Sequence, residues 1–144
     1  MTRSLIMAAF VAWCGHPPRQ TAENTLPPCP DTPNCVSTDA ARESQRVPTV
    51  PFRDAPAAAL ARAKSALLAE PRTTVTVERD GYLHAECRSF LFRFVDDVEV
   101  VVDTVAHVYR LRSASRVGRS DLGVNRTRLA RISARLAPTP TTSR

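Results

Sequence analysis

Lysine is almost missing from this chain. Of its 20 cationic residues, 19 are arginine and only Lys64 is lysine. So one-sided a usage follows the base composition of the coding sequence, and arginine by itself does not signal phosphate recognition here. Aromatic residues stop at Tyr109, which removes the stacking platforms that single-strand binders lay under successive bases. Nucleic acid is therefore set aside as a partner. The apolar run from Leu5 to Trp13 is too short to cross a bilayer as a helix. Histidine is absent near Cys29 and Cys35, whose six-residue spacing is not that of a zinc knuckle. Nothing in the pattern calls for a metal or another cofactor.

What is present is unevenly placed. Residues 104–144 carry nine arginines against one acid, Asp121, or +8. The formal total is +6, so residues 1–103 carry −2. A basic end attracts anionic lipid or other polyanions. At 144 residues the chain has room for one domain, and its prolines cluster between 17 and 56 and again at 138–140.

The N-terminus "MTRSLIMAAFVAWC" reads as an export signal: Arg3, then the apolar run, then Cys14. Val11 and Ala12 suit a lipoprotein signal with Cys14 as the acylated residue, while Trp13 departs from the small residue favoured there. The expected organisation is a leader over 1–13, a proline-rich tether over 14–53, a folded domain over 54–137 and a disordered tail over 138–144. An exported chain lies in the periplasm, or on the outer membrane if lipidated. "CPDTPNC" suits a small Cys29–Cys35 disulfide loop within the tether. Cys87 falls on an apolar strand face and reads as a buried thiol.

Within the domain, "DAPAAALARAKSALLAEP" predicts a helix with Asp54 as N-cap, Pro56 in the first turn and Pro71 as the stop. Leu60, Ala63, Leu67 and Leu68 form its apolar stripe. "TTVTVERDGYLHAECRS" alternates with period two around Asp80-Gly81, a hairpin. A three-residue turn pairs Val77 with Leu83, Val75 with Ala85 and Thr73 with Cys87, and is preferred because it sets apolar against apolar. A second hairpin, turning over Asp103 to Ala106, sets Val98 against Leu111, Val100 against Tyr109, Glu99 against Arg110 and Asp97 against Arg112. A last helix, starting at Ser120 or Val124, ends at Leu136. Its core stripe is Leu122, Asn125, Leu129, Ile132 and Leu136, with Arg128, Arg131 and Arg135 toward solvent. The expected fold is α+β, a two-layer sandwich in the order α-β-β-β-β-α, with both helices on one face of a four-stranded, mainly antiparallel sheet.

"RSASRVGRSDLGVNRTR", residues 112–128, holds five arginines, three serines and two of the four glycines. With "CPDTPNCVST" and "FVDDVEV" before it, it resembles the family called domain of unknown function 1499, over residues 26 to about 136. Arg112, Ser113, Ser115, Arg116, Gly118, Ser120, Asp121, Gly123, Asn125 and Arg126 carry the resemblance. The family's members often bear export signals or lipoprotein anchors, and the resemblance implies no established activity.

On physical grounds the stretch has two readings. As a site, a helix N-terminus with Arg116, Arg119 and Arg126 around it, and Ser115 and Ser120 as donors, suits an anionic small molecule, a lipid headgroup or another envelope component. As scaffold, Ser120 or Asp121 caps the helix, Arg116 or Arg126 pairs with Asp96 or Asp121, and Asn125 bonds loop carbonyls. The candidate residues are the same either way: Arg112, Ser113, Ser115, Arg116, Ser120, Asp121, Asn125 and Arg126.

Catalysis has the weaker case. The serines lack a base, since His107 lies at the far end of its strand and His84 on another hairpin. A hydrolase using Asp96, Asp97 and Glu99 with arginines is the alternative, although Asp96 points away from the other two in a regular strand. The expectation is a small exported, lipid-anchored module that binds a partner or supports an envelope structure rather than an enzyme.

Overall fold

The computed structural model describes residues 24–90 and 93–138. The leader over 1–13, Cys14 and residues 139–144 of the tail fall outside these. The fold is α+β: strands β1 (Cys35–Ser37), β2 (Val50–Pro51), β3 (Thr73–Arg79), β4 (Tyr82–Arg88), β5 (Val95–Asp103) and β6 (Val108–Ser115), with helices α1 (Pro56–Leu68) and α2 (Val124–Leu136).

All strand pairs are antiparallel and run β1-β6-β5-β4-β3, with β2 also on β6. Among the described residues the sheet thus has six strands, not the expected four. The two extra strands come from the stretch read as tether, because Val36, Val50 and Phe52 bury themselves in the main core. Proline frequency hid them: each strand is only two or three residues long and lies at an edge, where proline is tolerated.

Both helices pack on one face of the sheet. Ala59, Ala63, Ala66 and Leu67 of α1 and Leu129, Ile132 and Leu136 of α2 meet Leu83, Ala85, Val98, Val100, Tyr109 and Leu111. Alanines on α1 let the helix approach closely, and the Tyr109 hydroxyl donates to the Ala59 carbonyl at 3.0 Å. Leu68 is exposed. The α1 N-cap is Ala55 rather than Asp54, with Pro56 next; Asp54 instead pairs with Arg62 at 2.5 Å.

Two registers differ from expectation. In the first hairpin Thr73, Thr74 and Val75 pair with Cys87, Glu86 and Ala85, as the three-residue turn requires. Beyond Val75 the register shifts, and Val77, Glu78 and Arg79 pair with His84, Leu83 and Tyr82. A bulge at Thr76 reconciles a two-residue turn, with Gly81 at φ 67°, with apolar pairing further down. In the second hairpin the turn takes in His107 at φ 54°, and Val98 pairs with Ser113, Glu99 with Arg112 and Val100 with Leu111. That is a two-residue slip, so every side chain keeps its face while its partner changes. Asp103 accounts for it by accepting the amides of Val105 and Ala106 at 3.1 and 2.9 Å.

The two helices are also tied electrostatically. Glu70, just after α1 and 3% exposed, accepts from Arg131 Nη2 at 2.6 Å and from Arg135. Burial pushes the Glu70 carboxyl up, but hydrogen bonds and charge from the two guanidinium groups outweigh it and hold the pKa below the ordinary 4.5. The native state therefore binds this proton at lower pH than the unfolded chain. The stabilisation is complete above 4.5 and is lost as pH falls through the folded value. Glu70→Gln should cost roughly 1–3 kcal/mol at pH 7 and flatten the acid limb of stability against pH, read from urea midpoints. Parallel pH profiles for the two proteins would contradict this.

Candidate functional site

The three quoted motifs lie far apart in sequence and meet at one end of the sheet. On the helix side, Ser113 of β6 and Asn125 of α2 are wholly buried. Ser113 Oγ donates to Asn125 Oδ1 at 2.6 Å, and Asn125 Nδ2 donates to Ser115 Oγ at 3.0 Å and to the Asn34 carbonyl at 3.1 Å. Arg128, 7% exposed, sends Nη1 to Asn125 Oδ1 and Ser113 Oγ at 2.6 and 3.0 Å, and Nη2 to Asp96 Oδ2 at 2.7 Å. Asn34, inside the loop closed by the Cys29–Cys35 disulfide, donates to the Gly118 carbonyl at 2.7 Å. "CPDTPNC", "FVDDVEV" and the 112–128 stretch are thus wired to one another.

The expected solvent position of Arg128 is corrected by this network. The guanidinium is buried because Asp96, the one β5 acid on the helix face, needs a counter-charge in a layer closed to water. Leu122 is also corrected: it is 95% exposed and belongs to the loop before α2. The helix start is settled by Asp121, whose Oδ2 accepts the Asn125 amide at 2.8 Å and Oδ1 the Gly123 amide at 3.0 Å. Gly123 takes φ 81° to bring the chain into the helix. Ser120 is exposed and its Oγ meets the Leu122 amide at 3.4 Å.

The opposite face of the sheet carries a second polar system. Glu99, 1% exposed, accepts from Arg112 Nη1 at 2.7 Å and from the Tyr82 hydroxyl at 2.9 Å. Arg116 clasps Asp97 through Nε (2.9 Å) and Nη2 (2.7 Å), and reaches Glu86 at 2.6 Å. Asp97 also takes His84 Nε2 at 2.8 Å, while His84 Nδ1 meets Thr76 Oγ1 at 2.5 Å. Burial raises the Asp97 carboxyl, but the hydrogen bonds of His84 and Arg116 prevail and hold it below the usual carboxylate range. Hydrogen bonds that Arg116 donates to Asp97 and Glu86 push its pKa well above the ordinary value.

The chemistry available follows from these pairings. Asp96, Asp97 and Glu99 lie on two faces of β5, and each is held by an arginine, so they do not converge on a common point. Among the described residues no group of three or more His, Cys, Asp or Glu is placed to hold a metal ion. Arg112 and Arg116 are consumed by carboxylates, and Arg126, although exposed, donates to the carbonyls of Arg46 and Ser44 at 3.2 and 2.5 Å. The Thr76–His84–Asp97 chain, absent from the expected site, has the connectivity of a nucleophile, base and orienting acid. The charge of Arg116 on Asp97 opposes the support a carboxylate gives to an imidazolium.

What remains open is a cavity of about 300 Å³ beside the polar knot. Phe94, Val117 and Val124 supply apolar walls, and Asp96, Ser115 and Ser120 polar ones. Sequence reading missed Phe94 and Val117 because neither lies on a strand face or helix stripe. Asn34 and Arg128 had a signal: Asn34 sits in the first motif, and Arg128 is one turn beyond Asn125.

The family model described as Protein of unknown function (DUF1499) matches residues 25–136. No curated protein matches the chain.

Arg116→Ala leaves the buried Asp97 with His84 but no guanidinium and Glu86 with Arg88 alone, whereas Arg126→Ala loses two bonds at a wet surface. Thermal unfolding should show Arg116→Ala lower by several degrees, about 2–3 kcal/mol, and Arg126→Ala by less than about 1 kcal/mol. Equal midpoints for wild type and Arg116→Ala would mean its ion pairs contribute nothing to the fold.

Proposed function

The chain belongs to this family of unknown function, and from that premise we propose that it is an exported, lipid-anchored envelope protein whose folded module binds rather than catalyses. Export is supported by the Arg3–Cys14 leader pattern and by the Cys29–Cys35 disulfide, whose Cα atoms lie 5.6 Å apart. Such bonds persist in oxidising compartments such as the periplasm. The tether is shorter than the proline-rich stretch, since ordered pairing begins at Cys35 and Leu26 is already buried.

The observation that carries the binding reading is the cavity beside the knot. Its walls are apolar and its polar groups are largely engaged: Arg128 holds Asp96, and Asp121 caps α2. With the motif arginines turned to internal partners, the cavity suits an amphipathic ligand better than a bare anion. A lipid, or another envelope component with an apolar portion, fits these walls.

The full chain, expressed in a host with an outer membrane, should fractionate with the envelope. Intact mass should show a chain beginning at acylated Cys14, and Cys14→Ala should abolish acylation and release from the leader at that point. A cytoplasmic chain that keeps Met1 and has reduced Cys29 and Cys35 would overturn the export reading.

A further inference from the structure

Three apolar side chains line the cavity's rim, and more stand out around it. Phe94 is 51%, Val117 53% and Val124 48% exposed, while Phe90 and Leu122 reach 81% and 95%. Phe90 and Phe94 come from the β4–β5 connection, Val117 and Leu122 from the 116–123 segment before α2, and Val124 opens α2 itself. Exposed phenylalanines at positions 90 and 94 of a hairpin connection are contrary to the usual polar, glycine-rich chemistry of turns. The β4–β5 loop is nonetheless closed, with the Ser89 amide on the Phe94 carbonyl at 2.9 Å and the Phe94 amide on Ser89 Oγ at 2.9 Å.

The exposed charges closest to these side chains are arginines. Arg72 lies over the Phe90 ring, 5.6 Å from its centroid, and Arg93 and Arg119 are exposed. Among the described residues none of the three pairs with a carboxylate. The acids at this end are engaged, Asp96 by Arg128 and Asp121 by the amides of Gly123 and Asn125. Arg72 also donates Nε to the Arg88 carbonyl at 2.9 Å, whereas Arg93 and Arg119 stand exposed beside the apolar side chains.

From this juxtaposition we propose that the loop end of the sheet is a docking face for the surface of an anionic lipid bilayer. Phe90, Phe94, Val117 and Leu122 enter the interface, and Arg72, Arg93 and Arg119 meet headgroup phosphates. The inference rests on the module being a binding one and names what the rim beside its cavity rests on. A bilayer suits this face better than a protein does. The apolar side chains rise from two loops beside exposed arginines, and a fluid interface accepts such an uneven surface where a folded partner would need a matching shape. Each arginine near an anionic surface adds to the attraction.

The tether geometry is compatible. Asn24 Nδ2 bonds the Asp80 carbonyl at 2.8 Å, at the β3–β4 turn and so at the far end of β4 from the phenylalanine loop. Seven residues of β4 separate the two ends by roughly 23 Å. The ten steps from Cys14 to Asn24 reach at most about 35 Å. A lipid on Cys14 and the loop end can therefore lie in one membrane.

The test places a reporter on the face. In the full chain, Trp13→Phe with Leu122→Trp leaves a single indole, examined on phosphatidylcholine vesicles with and without phosphatidylglycerol and with brominated acyl chains. On anionic vesicles the indole should shift to the blue and be quenched by the bromolipids. Adding Arg93→Gln and Arg119→Gln should lower the ratio of docked to undocked face by about 30-fold. The readout is local, so attachment through the N-terminus does not imitate it. An indole that stays water-exposed on vesicles carrying the chain overturns the docking face. If it then responds to a monomeric short-chain amphiphile, the binding reading survives; if it responds to neither, both fall. A response only to envelope proteins would assign the face to a protein partner and overturn the bilayer.

Discussion

The guanidinium of Arg128 is the point on which the packing of α2 depends. It is buried between layers, bonded to Asp96 of β5, to Ser113 of β6 and to Asn125 one turn earlier on its own helix. A buried charge with fewer partners would cost several kcal/mol, so this group tolerates only one docking of the helix. Apolar contacts through Leu129, Ile132 and Leu136 supply the driving force. They are nondirectional, and the polar knot selects among the positions they would allow. Asn125 then extends the constraint to Asn34, so the disulfide loop, the sheet and the last helix share one arrangement.

Turning so many charges inward has a consequence at the surface. The 112–128 stretch looks like an anion site because arginines crowd around a helix start. Yet Arg112, Arg116 and Arg128 face carboxylates, and the Asp121 carboxylate already occupies the helix start by accepting the Asn125 amide. The part of this end that faces outward is apolar, with Arg93 and Arg119 beside it. The knot holds two loops in place, and those loops present the side chains. Scaffold and proposed docking face are therefore neighbours rather than alternatives, which is why the same motif supports both readings.

Much of this was legible from residue pattern. Period-two alternation located β3 to β6, and proline and alanine located α1. Local pattern did not reach interactions set by tertiary neighbours. The β3–β4 register depends on a bulge at Thr76 that satisfies a tight turn and an apolar face together. The β5–β6 register depends on Asp103 capping its own turn. β1 and β2 escaped notice because two or three residues give no periodicity, and their burial is evident only against β6. Arg128 read as exposed because charge ordinarily marks the solvent stripe, and only the inward-facing Asp96 reverses that rule.

The most direct measurement is a double-mutant cycle on Asp96 and Arg128, with Asp96→Asn, Arg128→Gln and the pair compared by urea unfolding at pH 7. If this buried pair fixes α2 on the sheet, the coupling should be at least about 1.5 kcal/mol, with both single variants clearly destabilised. Additive effects within about 0.3 kcal/mol would contradict the account and leave the apolar stripe alone holding the helix.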